Sequence, residues 1–94
     1  MLSRIATLKQ LHAFHTVARL GSISQAAQVL HLTQSAISIQ IGSIEQKLGT
    51  PLLTRTGRGM RLTEAGVMLQ GYAERIVDLW DEMGENMGTY VGAF

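Results

Sequence analysis

Residues 22–48 read SISQAAQVLHLTQSAISIQIGSIEQKL, and the fold turns on them. Two segments of helical periodicity flank His31, Leu32 and Thr33. Ser22, followed three residues later by Gln25, fits a capping box, and Thr33 is a good N-cap for the helix after it. In the first segment Ala26, Ala27 and Leu30 face inward, and the two alanines let a neighbouring axis cross closely where leucines would hold it away. His31 stands where a tight connection needs positive φ, which histidine tolerates better than most residues with a side chain. Two helices joined by a turn of about three residues form a helix-turn-helix pattern. In the second helix Ile37, Ile41, Ile44 and Leu48 fall within about 40° of one another at 100° per residue, so all four are expected in the core.

The outward face of that second helix is unusual. Ser35, Ser38, Ile39, Gly42 and Gln46 occupy it, with Gln34 projecting from its first turn. A merely solvated helix would carry Lys and Glu there. Small neutral residues instead permit the close approach that a DNA major groove requires, with amide and hydroxyl groups to read base edges. Gln34 suits bidentate pairing with adenine, Ser38 suits several bases, and Ile39 or Ala36 suits a thymine methyl. The helix N-terminus at Thr33 adds free N–H groups for phosphate.

Upstream, Thr7 to Gln10 is another capping box, and Leu8, Leu11, Phe14 and Ala18 mark the core face of a first helix that Gly21 ends. Downstream of Gly49 the pattern changes to PLLTRTGRGMRLT, residues 51–63. Residues 52–56 and 60–63 read as short strands around a Gly57-Arg58-Gly59 turn. Arg55, Arg58 and Arg61 decorate this hairpin, and Arg55 and Arg58 are placed to reach phosphates or a narrow minor groove beside the helix.

Thr63 is expected to cap a long last helix. Ala65, Leu69, Tyr72, Ile76, Leu79 and Met83 alternate at spacings of 4 and 3, as in a coiled-coil seam, and Trp80 and Met87 widen the stripe. From Thr63 to Met87 such a helix runs about 37 Å at 1.5 Å per residue and overhangs a small core, which points to a second chain against its seam. Gly66, Gly71, Gly84 and Gly88 each cost helix propensity, which makes sense where helices pack closely or a hinge follows. The closing GTYVGAF reads as the first strand of something absent.

Ninety-four residues with 46% apolar and 5% aromatic content support one modest aliphatic helical core. The absence of cysteine excludes disulfides and thiolate metal sites. No run reaches the roughly 18 apolar residues of a membrane span, and no signal peptide opens the chain, so a cytoplasmic location is expected. The net charge of +1 hides a segregation. Residues 1–61 set seven basic residues against Glu45 alone, whereas residues 62–94 set Arg75 against six acids. A basic half points to a polyanionic partner at that end. His12 and His15 have no carboxylate or cysteine nearby to complete a metal site, and a hydrogen-bonded core role suits His15. The serines lack a local base, and Gly57-Arg58-Gly59 lacks the Lys-Ser/Thr of a P-loop. No catalytic constellation emerges, and an enzyme is not expected. A pure protein-interaction module would account for the seam but not for the basic hairpin or the groove-like face.

Taken together, Leu11-x-x-Phe14, Gly21-Ser22, Ala26-Ala27-x-x-Leu30, Thr33-Gln34-x-Ala36-Ile37-Ser38-x-Gln40-Ile41, Ile44-Glu45-x-x-Leu48-Gly49, Leu52-Leu53-x-Arg55 and Leu62-Thr63-x-Ala65-Gly66 follow one another in a distinctive order. In that respect the chain resembles the N-terminal DNA-binding domain of the LysR-type transcriptional regulators of bacteria. The resemblance implies a mainly α fold, a winged helix-turn-helix with a three-helix core and a β-hairpin wing over residues 1–62, and a linker and dimerisation helix over 63–88. Residues 89–94 would then begin a missing effector-binding domain, to which a small-molecule inducer would bind; no cofactor is expected in residues 1–94. It further implies promoter DNA as partner, a homodimer through Ala65, Leu69, Tyr72, Ile76, Leu79, Trp80 and Met83, and usually a tetramer of the full-length protein. Gln34, Ser35, Ser38 and Ile39 would face bases, and Arg55 and Arg58 would belong to the wing. The family often has proline where Ser35 stands, a basic or polar residue where Ile39 stands and phenylalanine where Leu53 stands, so one phosphate or guanine contact would give way to a methyl contact at Ile39.

Overall fold

The computed structural model describes residues 5–57 and 59–91. Helices α1 (Leu8–Leu20), α2 (Ile23–Leu30) and α3 (Gln34–Leu48) are followed by strands β1 (Leu53–Thr56) and β2 (Gly59–Leu62) and a long helix α4 (Glu64–Val91). Each helix starts at the cap residue expected from the sequence, although the box at Ser22 and Gln25 is formed only on the serine side. Thr7 and Gln10 form the reciprocal box, each backbone N–H donating to the other's side chain at 3.1 Å. Ser22 Oγ accepts from the Gln25 N–H at 3.1 Å, and Thr33 Oγ1 accepts from the Ala36 N–H at 3.0 Å. Gly21 and Gly49 close α1 and α3 in the left-handed conformation, φ 70° and 73°. His31 closes α2 in the same region at φ 56°, and its N–H reaches back to the α2 carbonyls.

Phe14, Val17, Ala26, Ile37, Ile44, Leu52 and Ala73 are fully buried at the meeting of all four helices and the hairpin. Leu8 and Ala18 are half-buried flanks of that core, and Leu48 is a correction. It follows Ile37, Ile41 and Ile44 on the wheel but is exposed, because it occupies the last turn of α3, beyond the core that the isoleucines cover. The hairpin registers Leu53 with Leu62 and Thr56 with Gly59, so β1 begins one residue later than the sequence indicated, β2 lies one residue earlier, and two residues separate the strands. Thr63 joins hairpin to helix: its hydroxyl donates to the Pro51 carbonyl at 2.7 Å and accepts from the Gly66 N–H at 3.0 Å.

Along α4 the seam read from sequence divides. Ala65, Leu69 and Ile76 pack against the chain's own core beside Ala73 and Val77, which fall outside the heptad spacing. Beyond Val77, Leu79, Trp80, Met83 and Met87 are exposed. The helix continues through Thr89, Tyr90 and Val91, where the sequence pointed to an opening strand. His15 is buried, and Gln70 Nε2 donates to its Nδ1 at 3.1 Å, tying α1 to α4 and giving this histidine the core role its position indicated.

Candidate nucleic-acid interface

Helix α3 packs on α1 and α2 through Ile37, Ile41 and Ile44, which turns the opposite side of the helix outward. Gln34, Ser35, Ser38 and Ile39 are all exposed on that side. Gly42 within that face and Ala36 at its edge are half-buried. Thr33 is exposed, but its hydroxyl is engaged as the N-cap. The first turn holds no acidic residue, so the positive end of the helix is uncompensated.

The hairpin stands against the same end. Gln34, Ser38 and Arg55 line one cleft of about 330 Å³ together with Ser22, Thr56 and Met60. The wing is therefore adjacent to the readout candidates, as the sequence anticipated for Arg55. Arg58 lies outside the described residues. Arg61 is exposed on β2, paired in register with Thr54.

Glu45 holds this arrangement together. Its Oε2 accepts the backbone N–H of Leu52 at 2.8 Å and that of Leu53 at 3.4 Å, bridging the last turns of α3 to the start of β1. In the sequence Glu45 stands out only as the solitary acid of the basic half. A lone acid seven and eight residues before two potential donors is a faint signal without the fold.

On α4, Arg75 stacks its guanidinium over the Tyr72 ring at 4.9 Å from the centroid. Tyr72, Leu79, Trp80 and Met83 are exposed, so four of the seven residues expected at a seam are free of the chain's own core and three are partly used by it.

A family model described as bacterial regulatory helix-turn-helix protein, lysR family, matches residues 8–67, which take in the whole winged unit and the start of α4. The chain belongs to the LysR family. Its winged helix-turn-helix is that family's DNA-binding domain. Among relatives, a probable RuBisCO transcriptional regulator of Thalassiosira pseudonana is 46% identical over 76 residues, covering 81% of this chain and 25% of the relative. An uncharacterized HTH-type transcriptional regulator of Mycobacterium tuberculosis is 37% identical over 87 residues, covering 93% and 28%. The chain thus spans about a quarter of the length of the curated relatives it matches. The crystal structure of a CbnR DBD–DNA complex superposes with a TM-score of 0.75 at 35% identity, covering 90% of this chain and 98% of that one. A BenM DBD in complex with catB site 1 DNA gives 0.80 at 30% identity, covering 94% and 98%. Among the described residues, no helix of this LysR-family chain is long and apolar enough to cross a membrane.

Proposed function

We propose that this chain binds promoter DNA sequence-specifically as a homodimer, with α3 in the major groove and the wing arginines on the backbone or in the minor groove. The observation that carries the reading is the outward face of α3. Gln34, Ser35, Ser38 and Ile39 are exposed in a charge-free run at the uncompensated N-terminus of the helix, beside Arg55. Short side chains allow the helix backbone to approach base edges, amide and hydroxyl groups supply donors and acceptors, and N–H groups at Gln34 and Ser35 face phosphate. Two such domains joined through α4 would read two half-sites with the symmetry of the dimer. Leu79, Trp80 and Met83 provide the exposed apolar surface for that joining. The longer protein would carry an effector domain that binds a small-molecule inducer, assemble as a tetramer and act in the bacterial cytoplasm. The role assigned is recognition rather than catalysis.

Fluorescence anisotropy tests the DNA reading, using duplexes from upstream of the chain's own gene and scrambled controls at several salt concentrations. Tighter binding upstream is expected, with a log–log salt slope of several units from phosphate neutralisation. Arg55→Ala should weaken binding to all duplexes and make that slope shallower by about one unit. Failure to bind any duplex at low salt would refute the proposal.

A further inference from the structure

One residue of the α3 face does not fit a surface built only for polar contacts. Ile39 is 70% exposed, although isoleucine is among the residue types most often buried. Nothing beside it explains the exposure as part of a larger apolar patch on this helix. Its neighbours one turn away on either side are Ser35, Ala36, Gly42 and Ser43. A Cβ added at Gly42 would meet open space, so that flank of Ile39 is clear. The other large apolar side chain that α3 leaves exposed, Leu48, lies in its last turn and belongs to the core stripe. Ile39 is a solitary apolar knob on a low, uncharged surface.

Its chemistry narrows what it can read. The side chain has no donor or acceptor, so it cannot distinguish base pairs by hydrogen bonding. In the major groove the apolar feature that differs between base pairs is the C5-methyl group of thymine. A β-branched side chain on a helix is nearly fixed at χ1, so the knob is preorganised and loses little rotamer freedom when it docks. Ser35, Ala36 and Gly42 keep other side chains from holding the groove away from it.

We propose that Ile39 is a specificity-determining residue that selects a pyrimidine 5-methyl group, that of thymine, at one position of each half-site. The proposal rests on the placement of α3 in the major groove. It assigns to Ile39 a methyl contact that is separate from the hydrogen-bonded readout by Gln34 and Ser38.

The test begins with in vitro selection of duplexes from a random pool by the 94-residue chain. Each thymine of the selected site is then replaced singly by deoxyuridine, which deletes the 5-methyl and keeps every hydrogen-bonding group. Dissociation constants are measured for the unaltered chain, Ile39→Val and Ile39→Ala. At one thymine per half-site, uracil should weaken the unaltered chain about fourfold, the contribution of one buried methyl-sized group. That loss should shrink in Ile39→Val and vanish in Ile39→Ala. The same uracil penalties in all three proteins, or none in any, would overturn the role of Ile39 while leaving sequence-specific DNA binding intact. A selection that enriches no sequence would overturn both. Helicity by circular dichroism should be unchanged in the two variants, since the side chain lies outside the core.

Discussion

Gly66 sits in the first turn of α4 where the helix passes directly over the end of the α3–β1 connection. A Cβ there would overlap the Leu52 carbonyl and stand 3.2 Å from Leu62 Cδ2. The obstacle is backbone, and Leu52 is itself fully buried and held by Glu45 and Thr63, so relaxation is restricted. Gly66→Ala should therefore destabilise the fold by about 1–3 kcal/mol through overpacking, against the roughly 1 kcal/mol that alanine gains in helix propensity. Gly71, five residues on, has open space around its missing side chain and lies exposed. Gly71→Ala should stabilise by up to about 1 kcal/mol, so urea unfolding of the two variants should shift in opposite directions. Gln34 belongs at the same scale. Its side chain is exposed at the mouth of the cleft it shares with Arg55 and is remote from the core. Gln34→Ala should cost about 1–3 kcal/mol at a cognate duplex and much less on random DNA. Equal losses on both would show that Gln34 does not read a base.

At the scale of elements, the wing depends on one carboxylate of the recognition helix. Replacing Glu45 with alanine strips an acceptor from the Leu52 and Leu53 N–H groups. Loss of such a charge-assisted, half-buried interaction should cost about 1–3 kcal/mol. Hydrogen exchange should accelerate at the amides of Leu52, Leu53 and the hairpin, with the central turns of α1 and α3 keeping their protection relative to global stability. Uniform acceleration would instead place Glu45 in the global core. What could be read in advance divides along the same line. Caps at Thr7, Ser22, Thr33 and Thr63, the left-handed His31 and the buried Ala26–Ala27 pair are local, so periodicity and side-chain chemistry expose them. Glu45 was illegible because its partners become neighbours only after the chain turns at Gly49. Leu48 continued the right stripe past the point where the core ends. Ala73 and Val77 were overlooked for the opposite reason: larger residues nearby fit a heptad, whereas the core needed small ones for α4 to lie close. On the recognition face, exposure of Gln34, Ser35, Ser38 and Ile39 was legible because burial of the three isoleucines fixes the opposite side of the same helix.

Across the whole molecule, α4 makes two different uses of one apolar stripe. Its first half anchors the winged unit through Ala65, Leu69, Ala73, Ile76 and Val77, and its second half carries Leu79, Trp80 and Met83 past the edge of the core. Six of the chain's seven acids are gathered on this helix, Glu45 on α3 being the exception, whereas the basic residues concentrate in the winged unit. That separation would keep most of the negative charge off the proposed DNA face and leave the overhang for the proposed contact with a second chain. A polar change at Leu69 or Ile76 should weaken dimerisation, yet it also disturbs the chain's own core and confounds the two effects. The exposed half gives the cleaner test. Leu79→Ser combined with Met83→Ser should leave the helical circular dichroism of the monomer intact, because neither side chain supports the winged core. Sedimentation at a fixed concentration should shift toward monomer. Affinity for a duplex with two half-sites should fall while affinity for a single half-site stays the same, since only the linkage between domains has changed. An unchanged sedimentation profile would remove Leu79 and Met83 from the dimer seam. Equal losses on one and two half-sites would mean that the overhang acts on DNA binding within each chain rather than between chains.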